Sequence, residues 1–156
     1  MNKKVILKLI EKNITISTAE SCTGGMLAKE ITSVSGASSV FGYGFVTYSN
    51  EAKMNLIGVE ESSLLKYGAV SREVATQMAK GARRVSKADI AVSMTGIAGP
   101  TGGTKEKPVG LVWIALSSKN GEIAQKLNLK GSRTSIRKQT CKKVFELINK
   151  EFLEKY

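Results

Sequence analysis

Apolar and polar residues change their period several times along this chain, and each change marks an element. Residues 3–12 carry Val5, Ile6, Leu9 and Ile10, an imperfect pattern that predicts a short helix. Ile14-Thr15-Ile16-Ser17-Thr18 alternates and predicts a first strand, and Met26, Leu27, Glu30, Ile31 and Val34 follow at helical spacing. Val40 to Tyr48 is apolar and aromatic and predicts a second strand, bulged near Gly42 and Gly44. Ser49 or Asn50 then caps a short helix carrying Glu51, Ala52, Lys53, Leu56 and Ile57. Gly58 to Gly68 connects through another helical piece. Ser71 caps the next helix, where Val74, Met78, Ala82 and Val85 form one stripe that Ala75 and Ala79 widen.

The stretch from Asp89 to Gly103 organises the rest. Its first half is apolar without turn formers, as in a strand buried on both faces. Its second half, Gly96 to Gly103, is a loop with little side-chain bulk, where a polar ligand can reach the main chain. In open α/β sheets ligands sit beyond the carboxyl ends of strands, which makes this bend the expected site. Thr104 to Lys107 is polar and expected to be mobile. Leu111 to Leu116 predicts another buried strand. Asn120-Gly121 is a hairpin signal, so Ile123 to Leu129 returns antiparallel as an edge strand. Gly131 to Ser135 opens a final helix carrying Ile136, Thr140, Val144, Leu147 or Ile148, and Phe152. The order α-β-α-β-α-α-β-β-β-α implies one α/β domain over residues 1–156, a three-layer α/β/α sandwich with a mixed sheet of about five strands.

Composition narrows the chemistry. No apolar run approaches the ~20 residues that span a bilayer, and Lys8, Glu11 and Lys12 interrupt any signal-peptide core. The reading is a cytoplasmic protein with no membrane partner. Cys22 and Cys141 have no C-x-x-C spacing and are expected as free thiols. There is no histidine, so the commonest general base and metal ligand are missing. The net charge of +11 fits a solvated surface, a nucleic-acid partner, or a site for an anionic small molecule.

Several candidates for chemistry stand out. Strand, hydroxyl-rich turn, then helix at Ser21-Cys22-Thr23-Gly24-Gly25 suits a phosphate or an oxyanion, although Ser21 or Thr23 can equally be a simple N-cap. Lys53 falls near the first turn of its helix, where the dipole disfavours a cation. That makes it either a candidate base or a solvated surface lysine. Arg133 and Arg137 are four apart and share a helix face suited to phosphate. Neither the P-loop nor the dinucleotide glycine pattern occurs. Ser63-x-x-Lys66 lacks the companion motifs of penicillin-binding enzymes.

Six ordered stretches, read jointly, point further. They are Ala19-Glu20-Ser21-Cys22-Thr23-Gly24-Gly25, Gly36-Ala37-Ser38, Tyr48-Ser49-Asn50-Glu51-Ala52-Lys53, Tyr67-Gly68-Ala69-Val70-Ser71, Thr95-Gly96-Ile97-Ala98-Gly99-Pro100 with Gly102-Gly103, and Lys107-Pro108-Val109-Gly110. Over nearly the whole chain the sequence resembles the CinA carboxy-terminal domain family, the nicotinamide-nucleotide amidohydrolases, in stand-alone form. The resemblance implies hydrolysis of the carboxamide of nicotinamide mononucleotide to nicotinate mononucleotide and ammonia, with no metal and no cofactor. It marks Ser38, Tyr48 and Lys53 for catalysis: Ser38 as nucleophile, Lys53 as base, Tyr48 relaying or donating a proton. A water activated by Lys53 is the rival nucleophile. Ser21, Thr23, Gly24, Gly25, Thr95 and Gly96 are expected to line the pocket, and Arg133 and Arg137 to hold phosphate within a G-x-R-x-x-x-R pattern. Tyr43 departs from the glycine frequent in relatives. The implied partner is a small nucleotide substrate, with a homodimer as an option. The alternative is a basic nucleic-acid-binding or competence/damage-associated interaction module without catalysis.

Overall fold

A computed structural model describes residues 2–155. The chain runs α1 (Asn2–Glu11), β1 (Ile16–Glu20), α2 (Met26–Thr32), β2 (Phe41–Val46), α3 (Asn50–Ile57), α4 (Glu61–Tyr67), α5 (Arg72–Ser86), β3 (Ile90–Gly96), β4 (Leu111–Ser118), β5 (Gly121–Asn128) and α6 (Arg133–Glu151). Short 3₁₀ turns at Ala37–Ser39 and Leu153–Lys155 complete it. The five strands form one sheet in the order β2-β1-β3-β4-β5. The first three are parallel and the last two antiparallel, so the sheet is mixed.

Alternation within the strands decides which helices pack where. Ile16, Ile90, Val92, Met94, Ile114 and Leu116 face α1, α2 and α6 in the larger core. The opposite face carries Ser17, Ala19, Ala91, Ser93 and Ala115, which are small and let α5 lie close. Two hydroxyls stitch this face: Ser93 donates to the Ala75 carbonyl at 2.6 Å, and Ser86 to Ser17 at 2.9 Å. Gly81 of α5 meets α3 so closely that a Cβ would lie 1.8 Å from the Ile57 carbonyl oxygen.

Caps fall where short polar side chains precede helical runs. Ser49, Ser71 and Ser132 accept from Ala52, Val74 and Ser135 N–H groups. β1 starts at Ile16 rather than Ile14. Thr15 instead clasps Asp89, whose Oδ2 accepts from the Thr15 N–H and hydroxyl at 2.8 and 2.9 Å. The bulge expected in β2 occurs beside Gly42, where the register with β1 shifts. The Thr104–Lys107 segment, read as mobile, is fastened. Its ends exchange hydrogen bonds, and Lys107 Nζ donates to the Tyr67 carbonyl at 2.6 Å. No helix among the described residues is long and apolar enough to cross a membrane.

The topology also fixes where a ligand can sit. The chain leaves β1 to build β2 on one side, then crosses to build β3 on the other. The crevice between strands that diverge in this way opens at their carboxyl ends. There the Ser21–Gly25, Thr47–Ser49 and Ile97–Gly110 connections meet.

Candidate active site

Lys53 is the centre of this end of the sheet. Ser49 starts α3 just beyond β2, and the side chain of Lys53, one turn in, runs back toward the helix N-terminus. It is only 1% exposed. Nζ donates to the Thr47 carbonyl at 2.9 Å and to Ser21 Oγ at 3.1 Å. Neither partner is a carboxylate, so no ion pair among the described residues offsets a full charge. Burial holds the amine below the ordinary lysine value, with the Cys22 thiol pulling weakly the other way. The depression therefore comes from desolvation, where the sequence pointed to the helix dipole. The Thr47 hydroxyl is buried and has no hydrogen-bond partner among the described residues.

The Ser21–Gly25 turn approaches from β1. The left-handed backbone at Gly24 and Gly25 suits glycine and lets the chain turn directly into α2. Glu20, at the end of β1, was not singled out by sequence. Its carboxylate is buried and accepts from Thr23 Oγ1 at 2.6 Å, Leu27 N at 2.9 Å and Ala28 N at 3.1 Å. It thus occupies the first-turn donors of α2 that were expected to meet phosphate or an oxyanion. Thr23 is fully buried and its hydroxyl is spent on Glu20, so it does not cap the helix. The α2 N-cap is Gly25. A carboxylate at the last residue before a strand-to-helix turn was the one available signal.

The bend after β3 is also occupied by the protein's own bonds. Thr95 is buried and its hydroxyl donates to the Ala69 carbonyl at 2.9 Å. Gly96 is glycine for packing: a Cβ would come 2.5 Å from Val112. Both position the bend, and Gly96 keeps partial exposure.

The two arginines of α6 converge as expected, but each holds backbone. Arg133 donates to the Gly99 carbonyl at 2.8 Å and to the Tyr48 hydroxyl at 3.0 Å. Arg137 donates to the Cys22 and Thr23 carbonyls at 3.1 and 2.8 Å. With five N–H groups each, both retain donors. Tyr48 is 61% exposed and stands at the mouth of the site. Cys22, under Arg137, is buried and its thiol is pushed up to about 12 by desolvation, which disfavours the thiolate.

Ser38 lies elsewhere. It is exposed in the 3₁₀ turn that precedes β2, whereas Lys53 reaches the segment that follows β2. A six-residue strand, about 17 Å long, separates them. Within one chain Ser38 cannot exchange a proton with Lys53. The hydroxyl that can is Ser21. A groove of about 750 Å³ between Gly58, Lys80, Arg84 and Glu122 contains none of these residues. Chemistry, not cavity size, locates the site.

A depressed lysine touching a serine hydroxyl, at the switch point of an α/β/α sandwich and flanked by arginines, defines a class of site suited to proton transfer on a small anionic ligand. The sequence profile of the CinA C-terminal domain matches residues 1–152. The chain belongs to that family. It is 50% identical over 152 residues to a Thermoanaerobacter pseudethanolicus protein carrying the name competence-damage inducible protein, covering 97% of this chain and 37% of that one. A CinA-like protein of Endomicrobium trichonymphae is 47% identical over 148 residues, covering 95% of this chain and 35% of the relative. The chain thus spans little more than a third of the length of these relatives. Among solved structures, the competence/damage inducible protein CihA of Agrobacterium tumefaciens superposes with TM-score 0.91 at 44% identity, covering 94% of this chain and 90% of that one. A CinA superfamily protein of Klebsiella pneumoniae gives TM-score 0.94 at 30% identity, over 98% and 96%.

Proposed function

We propose that the chain hydrolyses the carboxamide of nicotinamide mononucleotide, giving nicotinate mononucleotide and ammonia. The observation that carries this reading is Lys53: a buried amine whose proton affinity burial lowers, in hydrogen-bond contact with Ser21 Oγ. Amide hydrolysis needs a base of this kind beside a nucleophile.

In the sequence of events we infer, neutral Lys53 takes the Ser21 proton as Oγ bonds to the carboxamide carbon. Collapse of the tetrahedral adduct breaks the C–N bond, and Lys53 returns the proton to the departing nitrogen as ammonia forms. Water then cleaves the ester and frees the carboxylate. A water molecule in place of Ser21 Oγ uses the same base and skips the ester. The pyridinium of the substrate is cationic, and its approach further favours the neutral amine. Tyr48, held by Arg133, offers a ring face to that cation and a hydroxyl at the mouth. The donors left on Arg133 and Arg137 suit the phosphate. Tyr48 thus becomes a substrate contact bonded to Arg133, and the nucleophile is Ser21 or water in place of Ser38.

The test is to incubate the purified chain with nicotinamide mononucleotide and separate the products. Nicotinate mononucleotide and ammonia in equal amounts are expected; unchanged substrate overturns the proposal. The alternative, a nucleic-acid-binding module, has in its favour the groove lined by Lys80, Arg83, Arg84 and Lys87, but Glu60 and Glu122 share that groove. Binding to duplex DNA that weakens steeply with salt, without turnover, would support it instead.

A further inference from the structure

The second half of α5 carries a basic face that the chemistry at Lys53 does not use. Lys80, Arg83, Arg84 and Lys87 stand at i, i+3, i+4 and i+7, so they share one side of the helix. That side walls the groove of about 750 Å³. Facing it are Ile57 and Gly58 at the end of α3, Glu60 before α4, and Ser117 and Glu122 on the β4-β5 hairpin. α5 ends where β3 begins, so the basic face lies near the amino ends of the parallel strands. Lys53 and its partners lie at the carboxyl ends.

Folding alone does not call for four cations in this place. Like charges four apart on a helix, Lys80 with Arg84 and Arg83 with Lys87, repel. The helix dipole favours cations in the last turn, which covers Arg83 and Arg84 but not Lys80. Lys87 takes a left-handed backbone, with φ of 59°, at the C-cap, where glycine is the commonest residue. Glu60 and Glu122 border the groove, yet none of the four cations is ion-paired with them. Among the described residues the ion pairs fall between Lys143 and Lys155. Gly58 leaves space for one guanidinium, since a Cβ there would lie 2.7 Å from Arg84 Nη2. Arg83 is braced by donating from Nε to the Asp89 carbonyl at 3.1 Å, which leaves its two outer nitrogens for a ligand.

We propose that this groove binds a nucleoside di- or triphosphate, with its linked phosphates along α5 and its sugar hydroxyls on the carboxylates. From Lys80 to Lys87 the helix rises about 10 Å, so the cations suit a chain of phosphates rather than a single one. The two guanidinium groups offer paired N–H donors to phosphate oxygens, and the two ammonium groups add point charges. An ionised carboxylate only accepts hydrogen bonds. Glu60 and Glu122 therefore suit hydroxyls and repel a ligand that is anionic along its whole length. Glu122 takes one bond from the Ser117 hydroxyl at 3.1 Å and keeps its second oxygen. The groove falls within the ~300–1,000 Å³ typical of small-molecule sites. Duplex DNA would press its phosphates against both carboxylates. Binding in this groove does not depend on deamidation at Lys53.

Isothermal titration calorimetry of the purified chain with adenosine triphosphate, in magnesium-free buffer, tests the site. Saturable binding is expected, weaker by at least about tenfold for adenosine monophosphate, which lacks the linked phosphates. Inorganic tripolyphosphate should bind more weakly than adenosine triphosphate, because it brings no hydroxyl to Glu60 or Glu122. Lys80 and Arg84 are exposed, so Lys80→Gln with Arg84→Gln should leave thermal melting unchanged. The same pair of substitutions should weaken adenosine triphosphate at least about tenfold. Arg133→Ala, at the other end of the sheet, should not change its affinity. Absence of binding at millimolar adenosine triphosphate, equal affinity for the monophosphate, indifference to the Lys80 and Arg84 substitutions, or loss on Arg133→Ala overturns the proposal. Tripolyphosphate bound as tightly as adenosine triphosphate, or duplex DNA displacing the nucleotide at physiological salt, overturns the nucleotide as the occupant. Absence of deamidation with nucleotide binding intact would remove the proposed function alone.

Discussion

Replacing Lys53 with methionine separates chemistry from folding. Methionine keeps a flexible apolar stem of similar length in a position that is 1% exposed, so packing is largely preserved. The lost amine leaves the Thr47 carbonyl and Ser21 Oγ without the bonds of 2.9 and 3.1 Å. An unpaired buried acceptor costs about 1–3 kcal/mol. Against that, the substitution removes an amine whose burial is itself unfavourable, as its lowered proton affinity records. The two effects oppose each other, and the expected net change in unfolding free energy is below about 2 kcal/mol, or a shift in Tm of under about 8 °C. Turnover behaves differently. A positioned general base contributes about 10²–10⁴ in rate, some 3–5 kcal/mol of barrier. Ammonia release from nicotinamide mononucleotide, followed by a coupled assay, should therefore fall at least about a hundredfold, while thermal melting by circular dichroism moves little. Turnover within about threefold of wild type would refute the base assignment, because that corresponds to less than 1 kcal/mol of barrier.

Three further outcomes follow from the same geometry. Glu20→Ala strips the acceptor from two backbone N–H groups and the Thr23 hydroxyl, and urea unfolding should show a loss of about 3 kcal/mol or more; a loss below about 1 kcal/mol would mean another group caps α2. Gly81→Ala drives a methyl group into the Ile57 carbonyl, and should cost about 3 kcal/mol or more in the same assay. Arg133→Ala frees Tyr48 and removes a guanidinium from the mouth. It should raise KM for nicotinamide mononucleotide about tenfold or more and change KM for the riboside, which lacks phosphate, far less; equal effects would deny the phosphate contact.

Much of the fold was legible because it rests on local rules. Alternation, the apolar run through Ile90 to Met94, the Asn120-Gly121 hairpin and the serine caps each act over a few residues. Position in the site was partly legible too: Lys53, Ser21, Tyr48, Arg133 and Arg137 all come to the carboxyl ends of β1 and β2. What pattern does not carry is partner choice. A buried threonine hydroxyl reads the same whether it meets a ligand or a main-chain carbonyl, and Thr95 chose Ala69. Glu20 reads as a polar residue ending a strand until its carboxylate is seen closing α2. Ser38 is near Tyr48 and Lys53 in sequence, but extended backbone carries residues apart as fast as a helix would keep them together.

The dependence of ammonia release on pH tests the central claim most directly. Only neutral Lys53 can accept a proton, and its folded value lies below the ordinary 10.5. The expected kcat/KM for nicotinamide mononucleotide rises with pH, with a midpoint below that value, and then levels off. Folding follows pH in the same direction: the unfolded chain binds this proton more tightly, so the contribution of Lys53 to stability falls as pH drops and is restored as pH rises toward 10.5. Ammonia release that is absent at every pH, or that climbs only through the ordinary lysine value, would contradict a buried neutral amine acting as the base.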